Sequence, residues 1–253
     1  MSIVLAIFLG LVQGIAEFLP VSSSGHLILV QHIFNMPDNM MFFNIMLHIA
    51  TLIAVCFVFR KKLMSLVRHP FSKDNLKLNL CLVLATAITV SFVLVFNDFI
   101  ESTFTARILP ITFMITAIIL FATSFIKNNN RPIGYKSAAT VGLAQGLAVI
   151  PGFSRSGFTI SAALATGTDK QKAAEFAFLM SIPIIIAALV WELVRHPVSV
   201  EAIGWLPLSV AFITALLSGI FAIKFMLDVI KKIKLYWFSF YLIVIAIVAL
   251  FIV

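Results

Sequence analysis

Long apolar runs constrain the fold of this chain more than any other feature. Six stretches are apolar over enough residues to cross a bilayer, which takes about 20 residues of helix. They cover residues 40–59, 76–97, 108–126, 173–194, 205–227 and 236–252. Lipid cannot hydrogen-bond the backbone, so a single apolar run that crosses it has to be helical. The chain is therefore predicted to be an all-α polytopic membrane protein with six transmembrane helices.

The composition agrees with a bilayer as the solvent. Of the 253 residues, 62% are hydrophobic and 11% are charged, whereas soluble domains are roughly half apolar and a quarter charged. The formal charge of +8 does not indicate a nucleic-acid partner, because the basic residues cluster at the ends of apolar runs without interleaved aromatics. Topology and membrane lipid headgroups explain these charges better. The length leaves room for a single membrane domain, residues 1–253, and for no separate soluble domain.

Two further apolar stretches are interrupted by proline, glycine and serine. Residues 2–34 contain FLPVSSSGH, and residues 134–167 contain PGFSRSG. Each half of each stretch is too short to cross a bilayer, so each stretch is predicted to be a re-entrant helical hairpin. Irregular backbone at that depth is tolerated only where it is buried in protein or lines a wet cavity. The two breaks are therefore predicted to lie inside the protein.

The two hairpins are copies of one sequence. A shift of 132 positions aligns GLVQGIAEFLPVSSSGHLI with GLAQGLAVIPGFSRSGFTI without a gap, and nine of 19 positions are identical. Three predicted spans separate the hairpins, and this odd number makes the second hairpin enter from the opposite face. The chain is thus predicted to be an inverted-topology repeat, with halves at about 1–126 and 134–253.

The distribution of lysine and arginine predicts the orientation. One set of alternate loops holds fourteen of these residues, whereas the other set holds only Arg107 and Arg195. By the positive-inside rule, the basic side is cytoplasmic. Both termini and the first hairpin are then predicted to be external. The basic loops are those at 60–77, 127–136, 168–172 and 228–234.

Polar residues that suit phosphate binding collect at the two breaks. Gln13 and Glu17 are four residues apart and therefore share a helix face just before the first break. After each break, serines can cap the next short helix and expose its free backbone N–H groups. Two helix N-termini that point at one place, together with hydroxyls and the guanidinium of Arg155, describe a phosphate site.

Two charged residues lie deep in apolar sequence, namely Glu17 and Arg155. An ionised side chain at the centre of a bilayer costs at least about 2.5 kcal/mol even on permissive scales. Function therefore explains these two residues better than packing does. His26 follows Ser22 and Ser23, which favours a catalytic role. His48, in the middle of a predicted span, is interpreted as a residue that packs or that supports the site from outside.

At these residues the sequence resembles the undecaprenyl-diphosphate phosphatase family, also called the bacitracin-resistance proteins. QGIAEFLPVSSSGH fits the family's Glu/Gln-x-x-x-Glu motif with its serine-rich segment, PGFSRSGFT fits its second motif, and the resemblance extends over essentially the whole chain. It implies hydrolysis of undecaprenyl diphosphate to undecaprenyl phosphate at the external face of the bacterial cytoplasmic membrane. This reaction recycles the lipid carrier for peptidoglycan synthesis and confers bacitracin resistance. The resemblance also implies a divalent cation, Mg2+ or Ca2+.

The resemblance implies roles for individual residues. Ser23 and His26 fall in the nucleophile and base region, and Arg155 with its flanking serines forms the phosphate clamp. Gln13 and Glu17 occupy the acidic pair that would hold the metal, although many members have two glutamates there. Ser22 as nucleophile, or a water with His26 as base, stay open as alternatives. The predicted catalytic residues are Glu17, Ser22, Ser23, His26 and Arg155, and the predicted substrate-binding residues are Ser24, Gly25, Gly152, Ser154, Ser156 and Thr159.

Two other classes of protein share features with this sequence. Acid-phosphatase-like lipid phosphatases follow their arginine with a histidine in the same segment, and no histidine follows Arg155 in SGFTISAALATGTD, which argues against that family. A transporter or flippase of a polyprenyl phosphate lipid is the second candidate, because inverted repeats with broken helices also define many carriers. The sequence leaves open whether the chain forms a homodimer.

Overall fold

The structure, a computed structural model, describes residues 1–36, 40–126, 130–195, 204–232 and 234–253. Within these ranges the chain is helical, and a single isolated bridge between Arg131 and Thr168 is its only β pairing. The prediction of an all-α polytopic membrane protein is confirmed. The helices are α1 (Ile3–Ala16), α2 (Ser23–Ile33), α3 (Met41–Val58), α4 (Arg60–Arg68), α5 (Lys73–Val95), α6 (Asn97–Ser102), α7 (Leu109–Ala122), α8 (Tyr135–Leu147), α9 (Arg155–Ala165), α10 (Lys170–Arg195), α11 (Trp205–Lys232) and α12 (Trp237–Ile252).

Each of the six predicted spans coincides with one helix. Not all six helices, however, are long enough to cross a bilayer. In the described ranges, four helical segments pass by length and composition, and these lie in α5, α7 with its flanking 3-10 turns, α10 and α11. The pair α3 and α4, bent by 74°, makes a fifth if it is counted as one span. Helix α12 is apolar but has 16 residues. Six transmembrane helices therefore stay a prediction.

Both predicted hairpins are pairs of helices that pack against each other, α1 with α2 and α8 with α9. Backbone conformation explains the breaks, since Ser22 has a φ of 69° and Gly152 a φ of 85°, values that do not continue a right-handed helix. Ser22 and Ser154 then cap the next helices, because their hydroxyls accept the N–H groups of Gly25 (3.2 Å) and Gly157 (3.1 Å). How the hairpins enter the bilayer stays a prediction.

The 132-residue shift relates the helices as well as the sequence. It carries Ser23–Ile33 onto Arg155–Ala165, and it carries α1, α3, α5 and α7 onto α8, α10, α11 and α12 with bounds that differ by at most five residues. The packing follows the same relation. The first helix of each hairpin packs against the long helix of the other half, α1 against α11 and α8 against α5. Each half therefore holds the other half's hairpin in place.

Glycines allow this close approach. A Cβ atom on Gly10 would lie 2.5 Å from the carbonyl oxygen of Ala211, and one on Gly142 would lie 2.6 Å from the carbonyl oxygen of Ala85. Any larger residue would push the hairpin helix away from its partner. The close contacts at Gly10 and Gly142 therefore help to position the hairpin helices and the polar residues that follow them.

The surface and the interior agree with a lipid environment. Large apolar side chains such as Val4 and Phe251 are exposed, whereas polar side chains such as Gln13 and Thr116 are buried. Of the basic residues that predict the orientation, Lys127 lies outside the described residues, and so does the side chain of Arg195. The other basic residues of these loops, such as Lys61 and Lys172, are exposed, except Lys170, which is half-buried.

Candidate active site

The two breaks meet inside the protein. The hydroxyl of Ser156 donates to the carbonyl oxygen of Leu19 (2.9 Å). A Cβ atom on Gly25 would lie 2.9 Å from the Cα atom of Gly152. The loops of the two hairpins therefore touch, and the N-termini of α2 and α9 both begin at this contact. The positive ends of two helix dipoles lie side by side there.

Glu17 is at the centre of the polar contacts between the hairpins. Its Oε1 atom accepts a hydrogen bond from the Nη2 atom of Arg155. Its Oε2 atom accepts hydrogen bonds from the Gln13 Nε2 atom (3.0 Å) and the Ser23 hydroxyl (2.6 Å). The side chain of Glu17 is only 3% exposed, so the charge would be costly without these partners. The carboxylate of one hairpin is thus neutralised by the arginine of the other.

The repeat explains why these residues converge. Ser23 and Arg155 are related by the 132-residue shift, and each is the first residue of the helix that follows its break. Both side chains therefore contact Glu17 from equivalent positions. The residue equivalent to Glu17 in the second half is Val149. The helices of the two halves are equivalent, but the site is not symmetric. It has one carboxylate and one serine from the first half and one arginine from the second half.

The structure separates the two candidate serine nucleophiles. The Ser23 hydroxyl donates to a carboxylate, which can accept its proton when the oxygen attacks. The Ser22 hydroxyl instead caps α2, and its other contact is the Ser24 hydroxyl at 3.5 Å. The contacts of Ser23 therefore suit a nucleophile better. Its role stays a prediction.

Both ring nitrogens of His26 already have partners. The Nδ1 atom lies 2.7 Å from the carbonyl oxygen of Ser22, and the Nε2 atom lies 2.7 Å from the hydroxyl of Tyr241. A carbonyl only accepts, so Nδ1 carries the proton and a neutral ring leaves Nε2 as the acceptor for Tyr241. Neither nitrogen is hydrogen-bonded to Ser23 or Glu17. For His26 to act as the base, Nε2 would have to exchange Tyr241 for a water or for the serine.

The remaining predicted residues of the second hairpin surround Arg155. The Ser154 hydroxyl caps α9 and lies 3.3 Å from that of Ser156. The Thr159 hydroxyl donates to the carbonyl oxygen of Arg155 (2.7 Å). A narrow cleft opens beside these residues. It is lined by Glu17, Phe18, Arg155, Ser156, Thr159, Ala177, Phe178 and Ser181.

Three residues at or near the site are not among the predicted catalytic, substrate-binding or metal-binding residues. The Nε2 atom of His48 lies 3.8 Å from the Oε2 atom of Glu17, and its Nδ1 atom donates to the carbonyl oxygen of Asn44 (2.8 Å). Tyr241 contacts His26 from α12, and Ser181 lines the cleft from α10. The only signal for His48 was its place in an apolar run, where an ionisable residue favours function. Nothing close to Tyr241 or Ser181 in the sequence pointed to the site.

The residues fit a divalent cation in part. The Oε1 atom of Gln13 is buried and has no hydrogen-bond partner, and it belongs to the same amide that contacts Glu17. In the described ranges, no three His, Cys, Asp or Glu residues form a metal-binding group. A hard cation here would have an amide oxygen and a carboxylate oxygen from Gln13 and Glu17. Water and the phosphates of the substrate would have to complete its coordination.

The fold and these contacts define a multi-pass helical membrane protein with a buried polar site between two helical hairpins. The chain belongs to the family described as bacitracin resistance protein BacA, which matches residues 6–248. The resemblance inferred from the two motifs is thereby confirmed.

Curated relatives resemble the chain over nearly its whole length. Undecaprenyl-diphosphatase of Treponema denticola is 44% identical, with 96% of this chain and 94% of the relative covered. Undecaprenyl-diphosphatase of Carboxydothermus hydrogenoformans is 42% identical, with 93% and 92% covered. Undecaprenyl-diphosphatase of Christiangramia forsetii is 35% identical, with 99% and 98% covered.

Proposed function

We propose that the protein is an undecaprenyl-diphosphate phosphatase, which hydrolyses the lipid diphosphate to undecaprenyl phosphate and inorganic phosphate. The relatives of the same family carry this activity in their names. The observation that carries the proposal is the contact of Glu17 with both the Ser23 hydroxyl and the Arg155 guanidinium. Such a reaction returns the carrier lipid to peptidoglycan synthesis and accounts for bacitracin resistance. Release of phosphate from undecaprenyl diphosphate by the purified protein tests it.

The contacts suggest how this chain performs the reaction. Arg155 binds the terminal phosphate with the guanidinium N–H groups that do not contact Glu17, and the N-termini of α2 and α9 add positive potential. The Ser23 oxygen attacks the terminal phosphorus while its proton moves to the Oε2 atom of Glu17. The bond from phosphorus to the bridging oxygen breaks, and undecaprenyl phosphate leaves with the electron pair.

The second step restores the enzyme. A water molecule attacks the phosphorus bound to Ser23, the bond from phosphorus to the serine oxygen breaks, and inorganic phosphate leaves. Glu17 returns its proton to the serine oxygen, and both protons of the water leave with the phosphate as H2PO4−. A direct attack by water, with His26 or Glu17 as base, would use the same phosphate clamp. Trapping of phosphate on Ser23 in a rapid quench distinguishes the covalent route from the direct one.

We also propose a divalent cation, Mg2+ or Ca2+, held by Gln13 and Glu17 together with the substrate. When bound, the ion offsets negative charge on the phosphates. Gln13→Glu should lower the metal concentration that gives the half-maximal rate by roughly tenfold, because a second carboxylate holds a hard cation more tightly than an amide oxygen does. Gln13→Met, which removes the oxygen at similar size, should raise that concentration. Metal-dependent stabilisation against thermal unfolding gives a second readout. Equal metal dependence in all three proteins would remove Gln13 from the ion's surroundings.

The proposed location is the bacterial cytoplasmic membrane, with the active site and both termini on the external side. The asymmetry of lysine and arginine supports this orientation. In a protein whose Cys56 and Cys81 are replaced by alanine, a membrane-impermeant maleimide should label Val253→Cys in intact spheroplasts. It should label Lys73→Cys only after lysis. The same accessibility at both positions, or the reverse pattern, would exclude the inverted repeat.

A transporter of a polyprenyl phosphate lipid is the second candidate function. The exchanged packing of two equivalent hairpins supports it, because carriers often move one repeat against the other. A transporter would bind the lipid diphosphate and move it between leaflets of a vesicle without releasing phosphate. A phosphatase would release phosphate in detergent, where there are no leaflets.

A further inference from the structure

A basic surface lies on α4, the short helix that follows α3. The residues of this surface form two series along the helix, and successive members of each series are four positions apart. Both series therefore lie on one side of α4. A concave surface forms there, and it includes no residue of the active site. Its lining residues, called here the α4 basic face, are Arg60, Lys61, Met64, Ser65, Arg68 and His69.

Among the described residues, the cations of this face have no carboxylate partner. In the part of the chain that the structure describes, no Asp or Glu oxygen lies within 4.0 Å of the side-chain nitrogens of Arg60, Lys61 or Arg68. Arg60 instead donates to the carbonyl oxygen of Phe57 (2.9 Å), and its guanidinium lies 4.9 Å from the centre of the Phe57 ring. Three unpaired cations beside a hydroxyl suit an anion that comes from outside the protein.

The direction of α4 favours a place for this face at the membrane surface. The helix leaves α3 at an angle of 74°, so it runs across the direction of that span. It is held there by Asn75, whose Nδ2 atom donates to the carbonyl oxygens of Ser65 (3.0 Å) and His69 (3.1 Å). Leu66 of α4 is buried, and α4 packs against α5. The position of α4 is therefore built into the fold.

Apolar side chains next to the basic face complete an amphipathic surface. Val67 is 77% exposed and Phe71 is 83% exposed. Exposed apolar side chains beside cations favour a place where the apolar groups reach the acyl region and the cations stay at headgroup level. A helix with this arrangement lies in the plane of the membrane interface.

We propose that the α4 basic face binds the phosphate headgroup of an anionic membrane lipid. Lys61, Ser65 and Arg68 lie within about two turns of α4, so their polar groups can contact the oxygens of one phosphodiester, and Arg60 adds positive potential at the start of the helix. Their positive charge matches the anionic lipids that attract basic segments next to membrane spans. Lipid bound there would fix the bend between α3 and α4, and α3 carries His48 to the active site.

Native mass spectrometry of the full chain in detergent tests this proposal. With equimolar dioleoylphosphatidylglycerol and dioleoylphosphatidylcholine, the wild-type protein should retain the anionic lipid at least tenfold more. The combined variant Arg60→Gln, Lys61→Gln and Arg68→Gln should lose this preference. The combined control Lys172→Gln, Lys231→Gln and Lys232→Gln removes the same charge from other basic loops and should keep it. Equal loss in both variants, or no preference in the wild-type protein, would overturn the proposal.

Two further measurements do not depend on the folding of a variant. The lipid preference of the wild-type protein should weaken as sodium chloride is raised, because salt screens exposed charges. A preference that is insensitive to salt would contradict a headgroup site. Inorganic phosphate should compete poorly, because it lacks the acyl chains that Val67 and Phe71 would contact. Full displacement of the lipid by inorganic phosphate would also overturn the assignment.

Discussion

Arg155→Lys is expected to lower kcat/KM for undecaprenyl diphosphate by roughly 100-fold to 1000-fold, the range seen when one preorganised transition-state donor is removed. The guanidinium contacts Glu17 and still has N–H groups for the phosphate. A lysine keeps the charge but offers a single point, so it cannot contact both groups in the same way. Phosphate release by the purified variant measures the loss.

Arg131→Lys is the matched control for this substitution. Arg131 lies in the connection before α8, its side chain is exposed, and its contact with Thr168 is made by the backbone. The control should keep normal activity. If Arg155→Lys also keeps near-normal turnover, Arg155 does not bind the phosphate.

Glu17→Gln is expected to abolish turnover and to destabilise the protein. Glutamine cannot take the proton of Ser23, and it leaves the guanidinium of Arg155 without its carboxylate. Removal of one partner of a buried ion pair costs about 3–5 kcal/mol, and the exposed fifth of the Arg155 side chain places the expected cost at the lower end of that range. Phosphate release and thermal unfolding should therefore both change.

A second variant separates catalysis from stability. Glu17→Gln combined with Arg155→Gln removes both charges, so it should recover much of the lost stability and none of the activity. The control is Glu175→Gln. Glu175 accepts a hydrogen bond from the Nε2 atom of Gln171 (2.8 Å) at the same four-residue spacing as the pair of Gln13 and Glu17. This control should stay active. Activity in the double variant would show that Glu17 has a structural role only.

The sequence predicted the helices well because lipid leaves few choices. An apolar run that crosses a bilayer must satisfy its backbone internally, and this makes hydropathy alone informative. The breaks after Ala16 and Leu147 were visible for a local reason, since proline, glycine and serine interrupt both stretches at equivalent positions. Hydropathy did not show which apolar runs form full-length spans, because α12 is short and α3 continues into α4 through a bend.

The candidate site was predictable only for the residues that stand out from an apolar background. Glu17, Ser23 and Arg155 are polar or charged residues beside the breaks of two otherwise apolar stretches, and the structure brings these three together. The contacts of His48 and Tyr241 depend on how α3 and α12 pack against the hairpins. Packing at long sequence separation leaves no local pattern, so the sequence could not place these two side chains.

Multiple-turnover phosphate release from undecaprenyl diphosphate by the purified protein is the most direct test of the proposed function. The proposal predicts many equivalents of inorganic phosphate per protein in detergent, with an equal amount of undecaprenyl phosphate, and no release by the Glu17→Gln variant. A protein that binds the lipid diphosphate, moves it across vesicles and releases no phosphate would contradict the proposal and would identify a transporter instead.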